Sequence, residues 1–167
     1  MQKEVTAMNE STLSHIDTQG NAAMVDVSSK QITRRTATAQ SIVVLGNEIM
    51  QHLTGTDIQT KKGPVFQTAI IAGTMAAKKT WDLIPLCHPL PLENCKIDIT
   101  INAANEVVIQ CTATITSKTG VEMEALTGAS VAALTIYDMC KAMSHAIIIK
   151  ETKLISKTGG KSDFTNE

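Results

Sequence analysis

Aromatic side chains are nearly absent: Phe66, Trp81, Tyr137 and Phe164 make up 2% of the 167 residues. That leaves almost nothing on which unpaired bases can stack, which argues against the usual single-strand nucleic-acid readers. An excess of charge is missing too, since Lys+Arg number 15 and Asp+Glu 16, for a formal charge of −1. No bulk field draws the chain to nucleic acid or to an anionic membrane, so any phosphate site must be local. No apolar run reaches membrane-spanning length, and residues 1–21 are polar where a signal peptide would be apolar. Cys87, Cys95, Cys111 and Cys140 form no C-x-x-C pair and no zinc-ligand spacing. Reduced thiols, a cytoplasmic setting and no dedicated metal cage are therefore expected.

What is present is enough apolar content, 43%, for a proper core in one compact domain. Residues 1–27 read as an N-terminal arm, 28–156 as the folded domain and 157–167 as a tail containing glycine and lysine. Within the domain, β-branched residues over 33–45 predict a strand, followed by a short helix from Gly46-Asn47 to about Leu53. Residues 54–63 read as a polar loop. Pro64 suits the first turn of a helix that ends near Lys79, with a stripe of Phe66, Ala69, Ile70, Gly73, Ala76 and Ala77. Three prolines in Ile84-Pro-Leu-Cys-His-Pro-Leu-Pro-Leu92 fix an extended loop. Strands over 96–102 and 106–116, joined by a turn at 103–105, a long helix ending near Lys141 and a strand over 147–155 complete a βαββαβ order. That order predicts a ferredoxin-like α+β sandwich, an antiparallel sheet with helices on one face.

The long helix carries charges that its packing does not require. Thr119 and Glu122 have the T-x-x-E spacing of a capping box, so the helix should begin near Val121. Ala125, Ala129, Ala133, Ile136 and Cys140 share one stripe, whose small side chains let the helix sit close to the sheet. Glu124, Val131, Leu134 and Asp138 fall on the opposite face, where carboxylates mixed with aliphatic groups point to a subunit contact. Fourteen residues separate Glu124 from Asp138, roughly 21 Å along one helix. Asp138 and Lys141 have i, i+3 spacing and can meet, the plainer reading being a surface ion pair.

Outside that helix the chemistry-bearing groups are few. His88 and Cys87 sit in the rigid proline loop, where Cys87 reads as a packed thiol rather than a nucleophile. Lys61-Lys62, Arg34-Arg35 and the Lys157…Lys161 pair around Gly159-Gly160 are small basic clusters. Lys62 directly precedes a helix N-terminus, whose free amides attract anions.

Seven ordered blocks carry a resemblance over about 13–164. They are Met24-Val-Asp-Val-Ser28, Lys62-Gly63, Ile71-Ala-Gly73, Leu83-Ile-Pro-Leu-Cys-His-Pro-Leu90, Lys118-Thr-Gly-Val-Glu-Met-Glu-Ala-Leu-Thr127, Ser130-Val-Ala-Ala-Leu-Thr-Ile-Tyr-Asp-Met-Cys-Lys141 and Lys157-Thr-Gly-Gly-Lys-Ser162. Together they closely resemble the cyclic pyranopterin monophosphate synthase family, the protein C family of molybdenum cofactor biosynthesis. The resemblance implies a lyase that turns 3′,8-cyclo-7,8-dihydroguanosine 5′-triphosphate into cyclic pyranopterin monophosphate and diphosphate. It implies a ferredoxin-like fold and a homohexamer, a trimer of dimers, with sites between subunits. No cofactor is implied beyond Mg2+ as companion of the triphosphate. Carried onto this chain, the resemblance makes Asp138, Lys62 and Lys141 catalytic. It places substrate contacts at Leu86, Cys87, His88, Met123 and Glu124, and phosphate ligands at Arg35, Lys157 and Lys161. Three positions depart from the family pattern: Pro64 stands where Asp or Asn is commoner, Ser117 replaces a usual Gly, and Asp163 directly follows Ser162. Two rival readings stay open, a non-catalytic ligand-binding module of this fold and an RNA-recognition sandwich. Diphosphate release separates the first from an enzyme, and the scarcity of aromatics argues against the second.

Overall fold

Alternating small apolar and polar residues over Thr33–Val44 form the central strand β1, which buries Ala37, Ala39, Ser41 and Val43 on one face. In the computed structural model, which describes residues 19–166, the short helix α1 (Asn47–Met50) follows. Next come the strands β2 (Leu53–Thr54), β3 (Asp57–Thr60) and β4 (Gly63–Pro64), the helices α2 (Val65–Lys78) and α3 (Thr80–Leu83), and strand β5 (Asn94–Ile101). Strand β6 (Val107–Ser117), helix α4 (Glu122–Cys140) and the strands β7 (Ile148–Thr158) and β8 (Phe164–Thr165) complete the chain. Most of the arm expected over 1–27 lies outside the described residues.

The main sheet runs β5-β6-β1-β7-β8, with every neighbouring pair antiparallel. Leaving aside β8, this is the strand order of the expected ferredoxin-like sandwich, and α2 and α4 pack side by side over its apolar face. The other face presents like pairs across β1 and β6, Thr36 with Thr114, Thr38 with Thr112 and Gln40 with Gln110, all hydrogen-bonded through their side chains.

The two helices approach each other and the sheet through their small residues. Gly73 of α2 faces the backbone of Gly128 in α4, and Gly128 in turn sits over Cys111 of β6. A Cβ on Gly73 would lie 2.6 Å from the Gly128 carbonyl oxygen, and backbone cannot move aside as a side-chain tip can. Gly73→Ala is expected to lower stability by about 1–3 kcal/mol, the range for overpacking a close interface. Denaturant unfolding checks this, with the midpoint as readout.

Three local expectations give way to the structure. Residues 54–63 form not a plain loop but the small β2-β3-β4 meander. A one-turn helix, α3, precedes the proline loop. The last long strand does not stop near 155, because β7 runs through Lys157 to Thr158 and β8 folds back to pair Lys157 with Phe164 and Ser156 with Thr165. Within the turn between them, the Asp163 carboxylate accepts a hydrogen bond from the Gly159 amide at 3.0 Å.

Candidate active site

The start of α4 shows how its first charged residues are used. The expected capping box does not form: the N-cap is Val121, no side chain caps it, and Glu122 is the first helical residue rather than the third. Glu122 instead pairs with Lys157, its carboxylate 3.0 Å from Nζ. A Cβ on Gly120 would collide with that carboxylate, so the missing side chain makes room for the pair. Lys157 is thereby held on an ordered strand beside the helix start.

Glu124 departs most from its expected place. Helical periodicity assigns it to the outer face, yet it is only 4% exposed. The proline loop and the arm lie over this end of α4, and between them they leave a cavity of about 880 Å³. Leu86, Cys87, His88, Met123 and Glu124 all line it, together with Glu122. Burial pushes the Glu124 carboxyl up to about 7, with a smaller push from Glu122, against its own backbone N–H, which favours the charged form. Burial, and secondarily Glu124, also raise the Cys87 thiol, so Cys87 stays protonated at neutral pH and is no ready nucleophile.

Sequence reasoning missed part of this wall. Ala22, Val25 and Val27 of the arm and Lys30 just beyond it line the cavity; the resemblance includes Val25 and Val27 in a block but assigns none of the four a role. Lys118 fastens this segment, its Nζ donating to the Ser28 carbonyl at 2.7 Å, and Asp26 closes a local turn by accepting from both the amide and the hydroxyl of Ser28. Arg35, expected to meet phosphate, donates from Nε to the Ser117 carbonyl at 3.1 Å and lies beside Gly160. Lys161 is exposed in the turn before β8.

The other end of α4 holds a second cluster. Asp138 receives Lys141 Nζ on one carboxylate oxygen at 2.7 Å and Lys62 Nζ on the other at 3.1 Å. Lys62 also donates to the Asp138 carbonyl at 3.3 Å. Hydrogen bonds from Lys141 and then Lys62 hold the Asp138 carboxyl below its ordinary range, while Asp138 raises Lys141. At neutral pH Asp138 is therefore a carboxylate facing a protonated Lys141, with Lys62 bonded to its other oxygen. Lys62 does not owe its place to an anion-binding helix start, as its position in the sequence implied. The Phe66 and Gln67 amides of α2 are already taken, at 2.7 and 3.1 Å, by the carboxylate of Asp57.

One uninterrupted helix thus separates a cavity at its N-terminal end from a lysine-carboxylate cluster at its C-terminal end, roughly 21 Å apart by helical rise. Residues 24–160 match the MoaC family. The chain belongs to that family. Among its relatives, a molybdenum cofactor biosynthesis bifunctional protein of Synechocystis sp. is 58% identical over 155 residues, covering 90% of this chain but 45% of that protein. Molybdenum cofactor biosynthesis protein 1 of Dictyostelium discoideum is 51% identical over 172 residues, covering 93% of this chain and 27% of that protein. The cyclic pyranopterin monophosphate synthase of Xanthomonas campestris pv. campestris (strain B100) is 53% identical over 152 residues, 91% of this chain and 92% of that protein. This MoaC-family chain therefore spans less than half of the first two relatives and nearly all of the third. Among the described residues no helix is long and apolar enough to cross a membrane, and no group of three or more His, Cys, Asp or Glu is placed to hold a metal ion.

Proposed function

We propose that this chain is a lyase of molybdenum cofactor biosynthesis, converting 3′,8-cyclo-7,8-dihydroguanosine 5′-triphosphate to cyclic pyranopterin monophosphate with release of diphosphate. The observation that carries this reading is the convergence of Leu86, Cys87, His88, Met123 and Glu124, from two segments far apart in the sequence, on one cavity. Relatives covered over most of their length bear the name of that synthase.

The reaction moves protons as the guanine-derived ring opens and the pterin closes, and it sheds a diphosphate whose charge must be neutralised. Glu124, titrating near neutrality inside the cavity, suits proton transfer in both directions. Lys141, kept protonated by Asp138, suits charge neutralisation and proton donation rather than proton abstraction. Asp138 holds Lys141 and Lys62 in place; as a carboxylate below its ordinary range, it is poorly suited to shuttle a proton itself. On this reading the chain carries no resident cofactor, and Mg2+ accompanies the substrate's triphosphate. The setting is the cytoplasm.

Neither cluster reaches the other within one chain, so each site joins the cavity of one subunit to the Asp138 cluster of another. Leu134, 57% exposed between the two ends of α4, supports such a contact. The assembly is the homohexamer, a trimer of dimers, that the resemblance implies.

Incubation with the cyclised triphosphate tests the assignment: diphosphate and a pterin that fluoresces after oxidation are expected together. Binding without diphosphate release would favour a ligand-binding module. Lys157→Ala and Lys161→Ala are each expected to raise KM more than they lower kcat, because lysines offered to phosphates act in ground and transition states alike. The larger effect is expected at Lys157, which is fixed by Glu122 beside the cavity. Steady-state kinetics decides, and a collapse of kcat at constant KM would make the basic residues catalytic.

A further inference from the structure

Helix α2 begins after a residue that cannot cap it. Its N-cap is Pro64, with extended backbone and no side-chain donor or acceptor, so the first amides of the helix need a partner from elsewhere. Asp57, on strand β3, supplies it. One carboxylate oxygen accepts from the amides of Phe66 and Ile58, each at 2.7 Å, and the other accepts from Gln67 at 3.1 Å. A single half-buried carboxylate thus ties the beginning of β3 to the beginning of α2.

The segment between those two anchor points carries Lys62. Its turn is built locally: the Thr60 hydroxyl donates to the Gly63 carbonyl at 3.0 Å and accepts from the Lys62 amide at 3.1 Å. Gly63 has φ of 109°, which a residue with a Cβ adopts only under strain. The turn therefore behaves as one piece, and what fixes its base fixes the lysine at its tip. That base also faces the last turn of α4. Burial and, second, the charge of Asp57 push the Cys140 thiol up to about 11, and Cys140 lies two residues after Asp138.

We infer that Asp57 is a positioning residue for the reaction: by capping α2 across the meander it holds the Lys62 turn in register with Asp138. The inference rests on the reading of Lys62 as catalytic. A cap with only a structural role affects stability, whereas a positioning group acts on turnover and does so through Lys62. A double-mutant cycle in the assembled protein separates the two roles, with kcat and KM measured for Lys62→Ala, Asp57→Ala and the combination, below the unfolding midpoint of each.

Asp57→Ala is expected to lower kcat about 10- to 100-fold with little change in KM, the scale for a misplaced group. Added to Lys62→Ala, it should remove nothing further. Asp57→Asn, which keeps the shape and one carbonyl acceptor, should fall between the parent and Asp57→Ala, and it carries the cycle if Asp57→Ala does not fold. A lowered melting temperature with intact kcat overturns the inference, as does an undiminished further loss in the Lys62→Ala background. A fully active Lys62→Ala removes Lys62 from the catalytic set and this inference with it. An inactive Lys62→Ala beside independent losses overturns the inference alone.

Discussion

Asp138→Ala is expected to lose turnover by about 10³-fold or more while melting like the parent and keeping its assembly, the scale of losing an electrostatic anchor together with the acid it orients. The residue is exposed at the end of α4 and contributes nothing to the alanine stripe that packs on the sheet. Its removal takes away the carboxylate that receives both lysines and leaves Lys62 only its bond to the backbone carbonyl of position 138. Lys141 loses its carboxylate partner and Lys62 the shorter of its two bonds, so the variant loosens the placement of both lysines at once. Lys141→Ala should be similarly inactive, since it removes the closer partner. Kinetics and thermal melting on the same samples check both. Normal product formation by either variant removes that residue from the catalytic set, and failure to fold contradicts its surface position.

Glu124→Gln should give the second large effect, and its signature is in the pH dependence. The carboxyl rises from an ordinary 4.5 to about 7 because burial disfavours its charged form. Below pH 4.5 it is protonated in folded and unfolded chains alike, and folding meets no charge penalty from it. Above pH 7 the folded chain must hold a buried carboxylate, so stability falls as pH rises between those values, by about 3 kcal/mol in all. Glu124→Gln is expected to remove that slope, melting higher than the parent at pH 8 and equally at pH 4. The same variant should lose about 10²- to 10⁴-fold in kcat, the usual worth of a positioned acid or base. It should also lose any activity limb near pH 7. A variant with parental turnover and an unchanged pH profile would leave Glu124 as wall rather than machinery.

How far these features could be read from the residues varies with their range in the chain. The small-residue stripes were legible, since Ala125, Ala129, Ala133 and Ile136 recur at helical spacing and all end up buried. So were the strand order and the proline loop, because alternation and fixed φ are local properties. The capping box was a local reading that failed: T-x-x-E spacing permits the box, but Lys157, 35 residues away, offers Glu122 a charged partner that Thr119 cannot match. Glu124 was misplaced for a related reason. Periodicity tells which way a side chain leaves its helix, not whether a loop from elsewhere will cover it. The Asp57 cap was invisible because Pro64 reads as an ordinary helix start, and the carboxylate comes from a strand too short to show alternation. Lys62 stood out by its place before α2, which is not what holds it, whereas the resemblance set it beside Asp138, 76 residues on, to which it bonds.

The central claim is that the α4 ends of different chains complete one site. Mixing two inactive variants under subunit exchange tests it most directly, with Glu124→Gln and Asp138→Ala as the pair. In mixed assemblies a chain with an intact cavity meets a chain with an intact Asp138 cluster, so roughly a quarter of the sites should be whole and activity should return in proportion. Lys62→Ala mixed with Asp138→Ala is the control. These two residues meet within one chain at 3.1 Å, and no mixture restores the pair. Recovery in the first mixture and none in the control is the predicted result. No recovery in the first, with exchange verified by mass, would place both ends of the site in a single chain and contradict the account.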